Sequence, residues 1–133
     1  HEVAPKPSLS VVQQCHHRYI ISIEGNDVAT NLKWIMSSNS LCLSPVLKYE
    51  TWFMEGKLQP GVHFAEISRD FEDLEETIAY YETHPDEARA IIANAKAYRN
   101  QFLDKNREKL IALLVLQKYF ECSGQIEPRL FAH

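Results

Sequence analysis

This 133-residue chain predicts an α/β fold built on a small parallel sheet, and three observations carry the prediction. Apolar runs rich in β-branched and aromatic residues lie at residues 19–23, 41–43 and 62–67. Segments with helical spacing separate them. The first run ends in Glu24-Gly25-Asn26-Asp27, a turn leading from a strand into a helix. Strands that alternate with helices form parallel sheets joined by crossovers, a Rossmann-like arrangement. Three strands are few for an open sheet, so further strands are expected upstream of His1.

Each element follows from its residues. Residues 1–8 hold Pro5 and Pro7 and read as a linker or a truncated start, because proline interrupts regular structure. Residues 19–23 are nearly all apolar, which suits a buried parallel strand. In residues 29–38, Leu32, Ile35 and Met36 make one helical stripe, and Asn39 offers a left-handed cap. Leu41-Cys42-Leu43 is the second strand, closed by Ser44-Pro45. Residues 49–55 predict a short helix with Tyr49, Trp52 and Phe53 on one side and Gly56 as its stop.

Residues 62–67 form the third strand. Asp70 caps a helix through Glu82, with Phe71, Leu74, Ile78 and Tyr81 at helical spacing. Pro85 opens the next helix, since proline suits the first helical position, and the pattern stays helical to about Cys122 with a break near residues 104–106. Residues 123–133 read as an irregular tail.

Composition excludes several function classes. The formal charge is -4 and no Lys/Arg cluster occurs, which argues against extended nucleic-acid binding. The longest apolar run, residues 111–116, is far too short to cross a bilayer. Cys15, Cys42 and Cys122 are widely spaced with no Cys-x-x-Cys pair, so neither a disulfide framework nor a zinc ribbon is expected, and a reducing, cytoplasmic setting fits. His16 and His17 are adjacent, and adjacent strand side chains point to opposite faces, so no metal site is expected there.

The turn at Gly25 has two readings. It is an ordinary strand-to-helix connection, or it is a phosphate cradle made by a glycine turn and a helix N-terminus at the sheet's carboxyl edge. Glu75, Glu76, Asp86 and Glu87 read as solvated helix-start charges, and His63 as a hydrogen-bonded structural histidine. Tyr49, Trp52, Phe53 and Trp34 read as core anchors, with a stacking platform as the alternative.

Residues 18–34 (RYIISIEGNDVATNLKW), 38–41 (SNSL), 50–53 (ETWF) and 58–64 (LQPGVHF) resemble, in order, the C-terminal portion of glycosyltransferase family 90, with the bacterial lipopolysaccharide-modifying branch the most similar. The resemblance implies that residues 9–122 are the incomplete C-terminal, nucleotide-sugar-binding domain of a two-domain GT-B enzyme. It implies transfer of a sugar from a nucleotide diphosphate sugar, UDP-linked, to a lipopolysaccharide or other glycan acceptor. The resemblance further implies an inverting reaction with no cofactor and no metal, whose general base is expected in an absent N-terminal domain. The implied setting is the cytoplasm, with peripheral association at the inner membrane face.

By the same resemblance Gly25, Asn26, Asp27, Ala29, Thr30, Asn31 and Lys33 line the diphosphate site. Many members carry arginine at the position of Asn31. Here that residue is neutral, so Thr30 and Asn31 are expected to donate side-chain hydrogen bonds, and Lys33 is either a nearby cation or a solvated lysine two positions along the helix. Two readings compete with the enzyme. A phosphate-receiver-like module needs an aspartate ending a later strand, which Leu43-Ser44-Pro45 lacks. A non-enzymatic interaction module would dock partners on Leu103, Leu110, Leu113, Leu114, Leu116 and Tyr119.

Overall fold

The computed structural model describes residues 8–127. Three parallel strands, β1 (Tyr19–Ile21), β2 (Leu41–Ser44) and β3 (Ala65–Glu66), form one sheet in the order β1-β2-β3. Tyr19 pairs with Leu41 and Ile21 with Leu43, while Leu43 pairs with Ala65 and Ser44 with Glu66. The expected α/β class and parallel sheet are therefore present. The central strand β2 is buried along its whole length, as its unbroken apolar run requires.

Five α-helices are described: α1 (Val11–Gln14), α2 (Leu32–Ile35), α3 (Leu74–Thr83), α4 (Pro85–Asn100) and α5 (Lys105–Cys122). Leu41, Leu43, Ala65, Ile67 and Ile91 make a core on one face of the sheet, with Leu74, Ile78 and Tyr81 of α3 and Ala88 and Ile92 of α4 packed against it. Alternation along β2 turns Cys42 to the other face. Burial there pushes its thiol up to about 12, so it packs as a small apolar group. Two compact units make up the chain, divided after Arg99, and the second contains α5.

Several expectations are corrected. Helix α1 was not expected. Its signal was Ser10-x-x-Gln13: the Ser10 hydroxyl accepts from Gln13 N, and the Gln13 side chain accepts from Ser10 N at 2.8 Å, a reciprocal cap. The helix expected over residues 29–38 is only Leu32–Ile35, and Asn39 does not take the left-handed conformation. Residues 37–40 instead turn through serine side chains, with Ser38 Oγ donating to Ile35 O at 2.7 Å and accepting from Ser40 N at 3.0 Å.

The aromatic helix over residues 49–55 is absent. A 3-10 turn, Glu55–Lys57, forms instead with Gly56 inside it, and Met54 ahead of it is left-handed (φ 54°). Phe53 is buried there, but Trp52 and Tyr49 are exposed, so only Phe53 is a core anchor of the three. The third strand shrinks from residues 62–67 to Ala65–Glu66, because residues 61–63 turn, with Gly61 at φ 73° and His63 N donating to Gln59 O. Helix α3 begins after Asp73, not Asp70: Phe71 sits at φ 64°, a backbone no helix admits. The expected junction at Pro85 is present, and the later break falls at residues 101–104, with Asp104 capping α5. The tail is described only to residue 127, so residues 128–133 and most of the expected linker, residues 1–7, lie outside the described residues.

Candidate functional site

All three strands run the same way, so their carboxyl ends at Ile21, Ser44 and Glu66 share one edge of the sheet. Loops that leave such an edge splay apart and open a crevice for ligands. Here a cavity of about 250 Å³ opens among them, lined by Ile23 and Glu24 after β1, Ser44, Pro45 and Val46 at the end of β2, and Arg69 and Phe71 after β3. A larger depression of about 590 Å³ follows β1 past Leu9, Gln14 and His17, and among the described residues its lining holds no Lys, Arg, Asp or Glu.

Two hydrogen-bonded clasps shape the cavity. The Glu24 carboxylate accepts from Lys48 N at 2.8 Å and Tyr49 N at 3.1 Å, joining the loop after β1 to that after β2. Across from it, Arg69 donates to Val46 O at 3.2 Å, joining the loop after β3 to the same segment. The Arg69 loop is itself anchored, since Ser68 N and Oγ donate to the Asp73 carboxylate at 2.6–3.0 Å. Those bonds hold the Asp73 carboxyl below the usual carboxylate range.

The segment after β1 is more self-contained than the sequence implied. Gly25 is not left-handed, and a Cβ built on it meets nothing within 4 Å, so open space rather than backbone conformation surrounds it. Its N–H donates to Asp27 O at 3.2 Å, and the Asp27 carboxylate accepts from Val28 N at 2.8 Å. Asn26 and Thr30 are exposed, and Ala29 is buried. Asn31 turns inward: Ser22 Oγ donates to its Oδ1 at 3.0 Å, and its Nδ2 donates to Ile21 O at 3.0 Å. Helix α2 has only four residues, too few to build the helix-terminus field that the cradle reading supposed.

Lys33 belongs to a second cluster. It donates to Thr51 Oγ1 at 3.3 Å and stands 4.0 Å from Glu55 Oε1, with the Phe53 ring 5.5 Å away. Glu55 is buried, and its carboxylate accepts from Thr51 N at 2.6 Å and Thr51 Oγ1 at 2.7 Å. Tyr98 closes this loop from α4, donating towards Phe53 O at 2.9 Å and Met54 O at 2.7 Å. Desolvation keeps its hydroxyl protonated beyond the ordinary tyrosine range. His63 is the expected structural histidine, its Nδ1 accepting from Gln59 N at 3.0 Å and its ring edge-on to Tyr98.

Arg69, Glu24, Val46 and Phe71 were missed as cavity residues. They are far apart in sequence and meet only because β2 lies between β1 and β3. Among the described residues no group of three or more His, Cys, Asp or Glu side chains is placed to hold a metal ion, and no helix is long and apolar enough to cross a membrane.

Comparison with known proteins places these features in a sequence family. The profile of glycosyl transferase family 90 matches residues 3–123. O-glucosyltransferase LpsA of Dichelobacter nodosus is 57% identical over 121 residues, covering 91% of this chain and 37% of that protein. Protein O-glucosyltransferase 3 of Homo sapiens is 29% identical over 108 residues, covering 79% of this chain and 20% of that protein. The chain thus spans well under half the length of each relative.

Proposed function

Because the chain belongs to glycosyltransferase family 90, we propose that it is the donor-binding part of an enzyme that transfers a sugar, glucose by analogy with its relatives, from a UDP-sugar to a hydroxyl of a lipopolysaccharide or other glycan acceptor. One observation carries the reading: three parallel strands deliver their carboxyl ends to one cavity that holds a cation and a carboxylate, a setting suited to a nucleotide diphosphate. In this reading the chain is an incomplete part of the C-terminal, donor-binding domain of a GT-B enzyme. The transfer belongs to the cytoplasm, at the inner face of the inner membrane.

The chemistry follows from the leaving group. A carboxylate base on an N-terminal domain takes the acceptor's hydroxyl proton, the oxygen attacks the anomeric carbon, and the bond from that carbon to the diphosphate oxygen breaks on the opposite face. Inversion results. Negative charge then grows on the departing diphosphate, where fixed cations and N–H donors oppose it without a metal ion.

Purified full-length protein, given UDP-glucose and a glycan acceptor, tests the proposal. Release of UDP with a glycoside of inverted configuration by NMR, undiminished by a chelator, is the expected result. Absence of transfer from any UDP-sugar to any glycan acceptor would count against the enzyme.

A further inference from the structure

A diphosphate needs a positive partner, and the segment after β1 does not present one to the cavity. Asn31 is neutral and bonded to Ser22 and Ile21. Lys33 is drawn to Thr51 and the buried Glu55. Arg18 precedes β1, at the opposite edge of the sheet, and pairs with Glu82 at 2.7 Å. Arg69, by contrast, leaves the carboxyl end of β3 and lines the cavity.

We propose that Arg69 binds the diphosphate of the nucleotide-sugar donor and stabilises it as the leaving group. The assignment rests on the donor-binding reading above. A guanidinium carries five N–H donors in a planar fork that matches two phosphate oxygens at once. One of those donors meets Val46 O at 3.2 Å, which orients the fork at the cavity wall. The residue before it is tied to Asp73, and Phe71 bends the backbone at φ 64°, so the arginine projects from a pinned turn. Less conformational freedom is then lost when a ligand arrives.

The other charged residue lining the cavity supports the polarity of the site. Glu24 is engaged with the amides of Lys48 and Tyr49, which leaves a carboxylate its remaining lone pairs for hydroxyl donors. A cation at one wall and such a carboxylate at another suit a ligand with an anionic part and a hydroxylated part, as a nucleoside diphosphate has. Because charge on the leaving group rises in the transition state, Arg69 gains more there than in the ground state.

NMR titrations of UDP and of uridine into the full-length protein test the assignment, comparing wild type with Arg69→Gln, Arg69→Lys and a surface control, Arg89→Gln on α4. Arg69→Gln is expected to weaken UDP binding by about 10–100-fold, the scale of a charge-assisted hydrogen bond, and to leave uridine binding unchanged. Arg69→Lys recovers part of the loss, and Arg89→Gln matches wild type. In turnover assays kcat falls more than donor KM rises in Arg69→Gln. Equal UDP affinity in wild type and Arg69→Gln overturns the assignment and leaves the donor reading standing. Parallel loss of UDP and uridine binding also overturns it, since that marks a structural residue. A wild-type protein that binds neither UDP nor UDP-glucose overturns the donor reading, and the assignment with it.

Discussion

The Ser22 hydroxyl donates to Asn31 Oδ1 at 3.0 Å, and the Asn31 amide donates to Ile21 O at 3.0 Å, so one side chain staples the end of β1 to the start of α2. Ser22 is fully buried, and its hydroxyl has no water to turn to if that acceptor is lost. The geometry gives Asn31 a bracing job besides any contact it makes with a ligand.

Asn31→Ala is therefore expected to destabilise the domain by about 2 kcal/mol, the scale of stranding a buried hydroxyl. The double variant with Ser22→Ala is expected to lose less than the sum of the two, with a coupling of about 1 kcal/mol in urea unfolding. Additive losses would remove the staple. Turnover at equal folded concentration is the second reading: a fall in kcat beyond the folded fraction would show that the residue also meets the diphosphate.

Glu55 predicts a larger effect. Its buried carboxylate accepts both the amide and the hydroxyl of Thr51, within 2.6–2.7 Å, and so fixes the loop that carries Phe53 and the left-handed Met54. Glu55→Ala leaves the half-buried Thr51 amide and hydroxyl without their acceptor and is expected to cost about 3 kcal/mol. Faster amide exchange at Thr51 is the local check. An unchanged unfolding midpoint would mean that the loop holds without its carboxylate.

The elements legible in the sequence are those where one local signal suffices. Leu41-Cys42-Leu43 declares a buried strand by composition, and Pro85 followed by Asp86 and Glu87 declares a helix start. Phe71 misleads because an apolar residue at helical spacing carries no mark of its positive φ. The family resemblance pointed to the correct family but directed attention to residues contiguous after Gly25. Arg69 was invisible to that reasoning, since its neighbours Glu24 and Val46 lie 45 and 23 residues away and only the strand order brings them together.

His63 predicts a pH dependence. Burial lowers its pKa below the ordinary 6.5, and protonation would set a second N–H against the Gln59 amide that now donates to Nδ1. The unfolded chain then binds the proton more readily than the folded one. Stability present above about pH 6.5 is lost as pH falls through the lower, folded value. His63→Gln is expected to flatten this part of the curve in urea unfolding at pH 7.5 and 5, and an unaltered curve would show that the histidine is not its source.

Gly25 separates the two readings of its turn most directly. Its φ is open to any residue, and an added Cβ meets no protein atom within 4 Å, so Gly25→Ala is expected to fold with a stability within about 0.5 kcal/mol of wild type. If the diphosphate passes close to this backbone, the methyl group occupies the approach, and UDP affinity falls by about tenfold while uridine affinity holds. If the turn is only a connection, both affinities stay at the wild-type value. The substitution is informative because it leaves the chain's own contacts alone: the Ser22–Asn31 staple and the Glu24 clasp are untouched, so any loss of affinity arises at the ligand.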